Sequence, residues 1–249
     1  MQTKRNVLLS FFLWICLWEG YSIWKGERVF FPSLEMVVTD GILLLQTAFF
    51  WKTLGLTILR VAVGFGLCCS LSVVLALLTF WKREMEILWI AFFGVCRILP
   101  SVVLIVLLLV FVPLTWLPFV IQACVVLPLM YEQALKSLES FEPDISLFLR
   151  FYRISYWKRF RKVYLPKIFR EMYKNLEGIL GLCFKVTIAG ELLAQEETSV
   201  GGEIFTQKMY LNLSTVFAWC FVLLVLHFFM LLLLKRFGVG YESLDRSSL

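Results

Sequence analysis

Ionisable side chains set inside apolar sequence are the first residues here that could do chemistry. Arg60, Arg97, Lys185 and Glu191 lie in or beside long uncharged runs. Such groups are costly in hydrocarbon, and they usually face a bundle interior or water. The chemistry they suggest is passage of a polar or anionic solute rather than bond-making. Arg60, Arg97 and Glu191 are the candidate path residues, with packing or snorkelling to an interface as the alternative, chiefly for Arg60 and Lys185. His227, the single histidine, sits among leucines and phenylalanines and reads as a packing residue. The seven cysteines form no CxxC and fall in or at the edges of apolar segments, so they read as small buried hydrophobes and not as metal ligands. The glycine-rich triplet Gly64-Phe65-Gly66 is a packing feature, and no phosphate-cradling loop is present. A membrane-embedded transferase would need clustered His, Asp or Glu at the membrane face, and there is no such cluster. No catalytic residue and no metal site is therefore expected, and the chain reads as a non-enzyme.

A second constellation is made of cations and aromatic rings. The stretch EPDISLFLRFYRISYWKRFRKVYLP (142–166) is basic and aromatic in the middle of apolar sequence. Pro143 and Asp144 suit a helix start. Ile145, Phe148, Leu149 and Tyr152 recur at helical spacing, and Leu165-Pro166 is expected to close the segment, because proline disfavours helix continuation. Retention of positive charge near anionic headgroups explains many of these basic residues. It does not call for Tyr152, Tyr156, Trp157 and Phe160, nor for a loop of this length, which in a compact protein is usually functional.

These residues must be positioned by membrane helices. The 249 residues are 60% hydrophobic with a mean hydropathy of +0.83, beyond the range of soluble domains. Several runs approach the roughly 20 apolar residues that span a hydrocarbon core as a helix, which excludes a β-barrel. Helices are expected at about 6–24, 54–80, 87–111, 117–135, 176–195 and 212–236, with an amphipathic interfacial helix starting at Pro32-Ser33. Gly64, Gly66, Cys68 and Ser70 would let the second helix pack closely. Gly201-Gly202 reads as a loop turn. With the N-terminus inside, 17 Lys/Arg fall in cytoplasmic segments and 4 outside, with three in spans. The positive-inside rule thus places both termini and residues 136–175 in the cytoplasm. The net charge of +6 is largely cytoplasmic loop charge and implies no nucleic acid.

RISYWKRFRKVYLP (153–166) resembles the second half of the cytoplasmic signature of binding-protein-dependent ABC importer permeases. The match rests on Ser155, Trp157, Phe160, Arg161, Val163, Leu165 and Pro166. The signature's glycine position is occupied by Arg153 and its Glu-Ala-Ala by Leu147, Phe148 and Leu149. Three further stretches are similar to the same family: TILRVAVGFGLCCSLSVVLALLTFWKREMEILW (57–89), FFGVCRILPSVVLIVLLLVFVP (92–113) and AGELLAQEETSVGGEIF (189–205). The likeness covers about residues 50–236 and is nearest to the nitrate/sulfonate/taurine type.

That resemblance implies an all-α polytopic membrane protein of the type I importer permease, or MetI-like, fold. It has six transmembrane helices and a cytoplasmic coupling helix between the fourth and fifth. The division would be 1–53 for the first helix and outer segment, 54–236 for the permease core with its coupling loop at 136–175, and 237–249 for a cytoplasmic tail. The implied function is a permease subunit passing a small solute such as a sulfonate, taurine, nitrate or a thiamine-pyrimidine precursor. ATP would be bound by a partner, so no cofactor is expected on this chain. The implied partners are a cytoplasmic ATPase dimer, an extracytoplasmic solute-binding protein, a second copy of the chain and membrane lipid, in a bacterial inner membrane. Tyr152, Arg153, Ser155, Tyr156, Trp157, Arg159, Leu165 and Pro166 would carry ATPase coupling. A neighbouring importer class, and the transferase, are the alternatives.

Overall fold

The structure is a computed structural model and describes residues 2–25, 30–140 and 155–246. The described residues are mostly helical, and no strand occurs among them. In chain order they form α1 (Gln2–Lys25), α2 (Leu34–Leu45), α3 (Ala48–Trp81), a short 3-10 turn (Arg83–Met85), α4 (Glu86–Ile98), α5 (Ser101–Phe111), α6 (Leu117–Val125) and α7 (Leu127–Glu139). After residues 141–154 come α8 (Tyr156–Arg159), a π-helical turn (Phe160–Tyr164), α9 (Leu165–Lys174), α10 (Leu176–Ala194), α11 (Val200–Met209) and α12 (Leu213–Arg246). Among the described residues, α3 and the Leu213–Leu234 part of α12 are long and apolar enough to cross a membrane. The total rises to four if each of two bent pairs, α4–α5 and α6–α7, is one span.

The bent pairs depart from the helices expected at 87–111 and 117–135. The first breaks at Leu99-Pro100 and bends there by 116°. Proline pushes the residue before it out of helical geometry, and Leu99 is extended, with φ −71° and ψ 131°. The second bends by 41° where Pro128 enters the first turn of α7, a milder insult because the missing N–H falls where no intrahelical bond is due. Both prolines are flanked closely by apolar residues, Ile98-Leu99 and Val102-Val103 at the first and Val126-Leu127 and Leu129-Met130 at the second, so the hydrophobic run survives while the helix does not.

The chain divides into two compact units. One contains residues 1–55 and 197–249. In it the Ser33 side chain caps α2 at Met36 N, as expected for a helix starting at Pro32-Ser33. Asp40 of α2 accepts hydrogen bonds from Ser214 and Thr215 in the first turn of α12, a favourable place for an anion. Phe50 stacks on the buried Trp219, and Trp18 closes against Phe31 and Phe217. Gly201-Gly202 is not a loop turn. Both glycines are buried in the first turn of α11, where Gly202 N donates to the Ser199 hydroxyl at 2.9 Å. His227 is half-buried on α12.

The other unit, residues 56–196, holds the main apolar core, with Ala76, Ile105, Leu117, Ile121, Val126, Ala134, Leu138, Ile168 and Cys183 fully buried. Two glycines make its close helix approaches possible. A Cβ at Gly64 would lie 2.6 Å from Gln122 Cδ, and one at Gly190 would lie 2.8 Å from Ile121 Cδ1. Cys68 shares the buried face of α3 with Gly64, whereas Gly66 and Ser70 lie on its exposed face, with nothing within 4 Å of a Cβ built at Gly66.

Candidate functional site

Three constellations in the second unit gather the polar groups, and one is inside the core. Thr57 and Arg60, one turn apart on α3, face Glu191 on α10. The Thr57 hydroxyl lies 3.0 Å from both carboxylate oxygens of Glu191, and Arg60 Nη1 is 3.0 Å from Oε1. Arg60 Nη2 reaches Glu196 at 3.1 Å, just beyond Gln195, which ends α10 in the left-handed conformation at φ 53°. Glu191 is 0% exposed and Arg60 only 16%, so the carboxylate has exchanged water for a guanidinium and a hydroxyl. That exchange is what makes a buried charge tolerable.

Gln122 of α6 extends the cluster. Its Nε2 donates to the Thr187 hydroxyl at 2.7 Å, and Thr187 donates onward to the Cys183 carbonyl. The amide also lies 3.4 Å from the Arg60 carbonyl, while its Oε1 is buried without a hydrogen-bond partner among the described residues. Sequence reasoning singled out Arg60 and Glu191 and the structure brings them together. It missed Thr57, Gln122 and Thr187, since an isolated Gln or Thr in an apolar run carries no pairing signal.

The second constellation lines a cleft of about 320 Å³ between α4 and α7. Arg97 pairs with Glu132 and donates to the Pro128 carbonyl at 2.9 Å. Arg83 pairs with Glu139 and with Glu86, and Lys136 is 3.8 Å from Glu132. The Arg83 guanidinium is held above its ordinary pKa, first by the hydrogen bond to Glu139 and then by the charges of Glu139 and Glu86. The cleft's floor is apolar, from Ile90, Phe93, Tyr131 and Leu135. Arg97, grouped with Arg60 and Glu191 from the sequence, therefore belongs to a different set of partners. Lys185 is exposed.

The third is the basic aromatic segment. Tyr152, Arg153 and the side chain of Tyr156 lie outside the described residues. Ser155 is exposed and its carbonyl accepts from Arg159 N, opening α8. Trp157 is 66% exposed and its ring lies 5.6 Å from Phe160, while Lys158, Arg161 and Lys162 are exposed and Arg159 is half-buried. The helix does not close at Leu165-Pro166 as expected. Leu165 N bonds the Phe160 carbonyl, five residues back, so a π turn ends where Pro166 begins α9. The widened turn moves carbonyls away from the pyrrolidine ring, and the chain continues helically to Lys174. On α9, Ile168 is 0% exposed and Met172 4%, packed into the core against α7. In comparisons with known proteins, no family model and no curated protein matches the chain.

Proposed function

We propose that the chain is the membrane-spanning permease subunit of an ATP-driven importer, and that residues 152–166 couple it to a separate cytoplasmic ATPase. The observation that carries this reading is the build of the segment from Ser155 to Lys174. It is one continuous helical run whose start offers an exposed Trp157 among cations and whose end is seated in the core through Ile168 and Met172. A push on the exposed end is thereby delivered to buried residues that pack on α7. Tryptophan and arginine are the side chains that dominate protein docking energies. Tyr152, Arg153, Ser155, Tyr156, Trp157 and Arg159 are assigned to the docking surface, and Leu165-Pro166 to the joint.

The solute proposed is small, of the sulfonate, taurine, nitrate or thiamine-pyrimidine kind, with selection delegated to an extracytoplasmic binding protein. Six spans and pairing of two copies follow from the sequence resemblance. So does a bacterial inner-membrane location, while the cytoplasmic side proposed for both termini rests on the distribution of Lys and Arg among the loops. Arg60 is committed to two carboxylates, so preference for an anion rests on that resemblance and not on a free cation in the core.

The test is recovery of ATPase activity with the tagged full-length chain, solubilised from host membranes in mild detergent. Trp157→Ala is expected to weaken the association by about thirty-fold, the effect of losing a docking hot spot. Recovery of no ATP hydrolysis, or undiminished recovery with the variant, would sink the assignment.

A further inference from the structure

A pocket of about 320 Å³ lies between the last two turns of α3 and the α8 segment, lined by Val74, Leu77, Leu78, Trp81, Trp157 and Phe160. Every lining side chain is apolar or aromatic. The Phe80 ring meets Tyr164 at 5.6 Å and so fastens the segment to the same end of α3. Because α3 is long and apolar enough to cross a membrane, the end of its apolar stretch at Trp81 marks a membrane–water boundary. Trp81 is 59% exposed and Trp157 66%, and amphipathic rings of this kind favour the headgroup level. Within one helical turn of the pocket residues stand Lys82, Lys158, Arg161 and Lys162. All four are exposed, and none forms an ion pair among the described residues. An apolar slot whose lining residues are flanked in the chain by exposed cations, at the end of a membrane-length helix, has the two-part chemistry of an acidic amphiphile.

We propose that this pocket takes one acyl chain of an anionic phospholipid, whose phosphate is held by Lys158, Arg161 and Lys162. Charge complementarity selects this occupant over a zwitterionic lipid, and the end of α3 gives the depth at which such a lipid is found. The charge count of the sequence puts this boundary on the cytoplasmic side, where anionic lipids supply a negative surface. A lipid seated here braces the α8 segment against α3. The inference goes beyond the docking role and does not depend on it.

The experiment uses the full-length chain in nanodiscs of phosphatidylcholine, with no ATPase present. Tryptophan fluorescence is followed as brominated phosphatidylglycerol, or brominated phosphatidylcholine as control, replaces the unbrominated lipid. The wild type is expected to be quenched at a lower mole fraction by the anionic lipid. The preference should vanish when Trp81→Phe and Trp157→Phe remove the reporting rings. Each of Lys158→Gln, Arg161→Gln and Lys162→Gln should lower the apparent affinity by about five-fold, and filling the slot with Val74→Phe should abolish saturable quenching. A salt titration of the unmodified chain gives the same reading without any variant, since added salt should erase the preference. Equal quenching by both lipids overturns the proposal, as does a preference that survives salt or the glutamine changes. Should the pocket instead accept an apolar side chain of the ATPase, quenching would show no preference, and Val74→Phe would block recovery of ATP hydrolysis. Loss of lipid preference leaves the docking assignment standing, and failed ATPase recovery leaves this one standing.

Discussion

Arg60 is held between a fully buried Glu191 and the half-buried Glu196, and this fixes what each substitution should do. Removing one member of a buried pair strands a charge where water cannot reach it. Arg60→Met is therefore expected to destabilise the chain by about 3–5 kcal/mol. Arg60→Met with Glu191→Leu replaces the pair by apolar groups of similar size and should recover most of that loss, because Glu196 can turn to water. Thermal unfolding in detergent micelles reads both, and a double variant no better than the single one would refute the pairing. Gly64 gives a second contrast. A methyl group there meets the Gln122 amide at 2.6–2.7 Å, so Gly64→Ala should cost about 1–3 kcal/mol by overpacking. Gln122→Ala should remove most of that cost, and additivity between the two changes would contradict the contact.

At the scale of elements, the π turn at Phe160–Tyr164 and the elbow at Leu99-Pro100 are both answers to proline, with opposite outcomes. Pro166 follows a turn whose hydrogen bonds already reach five residues back, so the helix absorbs it. Pro100 follows an extended Leu99, and the chain turns sharply. Pro166→Ala removes the reason for the wide turn. Its expected outcome is reversion to α-helical bonding, which turns everything before Phe160 by about 100°, one residue's rotation. Maleimide labelling of Trp157→Cys, with and without Pro166→Ala, measures this as a change in rate, and an unchanged rate would place the origin of the π turn elsewhere. Helix positions were legible because the apolar runs are long and Ser33 caps where a cap is due. The 116° elbow was not, since hydrophobic residues on both sides of Pro100 read alike whether the helix is kinked or broken. Nor was the pairing of Arg60 with Glu191, which joins positions 131 residues apart and needs the fold to bring α3 to α10. Both residues stood out as charges in apolar sequence, whereas Gln122 acquires meaning only from what the fold sets against it, the Gly64 backbone and the Thr187 hydroxyl.

For the whole molecule, charge asymmetry is the quantity with a directional consequence. Seventeen Lys/Arg in the segments assigned to the cytoplasm against four outside is a bias that the insertion machinery reads loop by loop. It makes the proposed arrangement testable without any partner or solute. Trp157 and Asn212 are both exposed, and the proposal puts them on opposite sides of the membrane, with α12 starting on the outer side immediately after Asn212. In a background lacking the seven native cysteines, Trp157→Cys should react with a membrane-impermeant maleimide only in inside-out vesicles. Asn212→Cys should react only in right-side-out ones. Labelling of both from the same side would remove the cytoplasmic placement on which the ATPase docking and the anionic-lipid pocket both depend. Labelling from opposite sides in the reverse sense would turn the chain over, and the basic segment would then lie where neither an ATPase nor an inner-leaflet lipid could reach it.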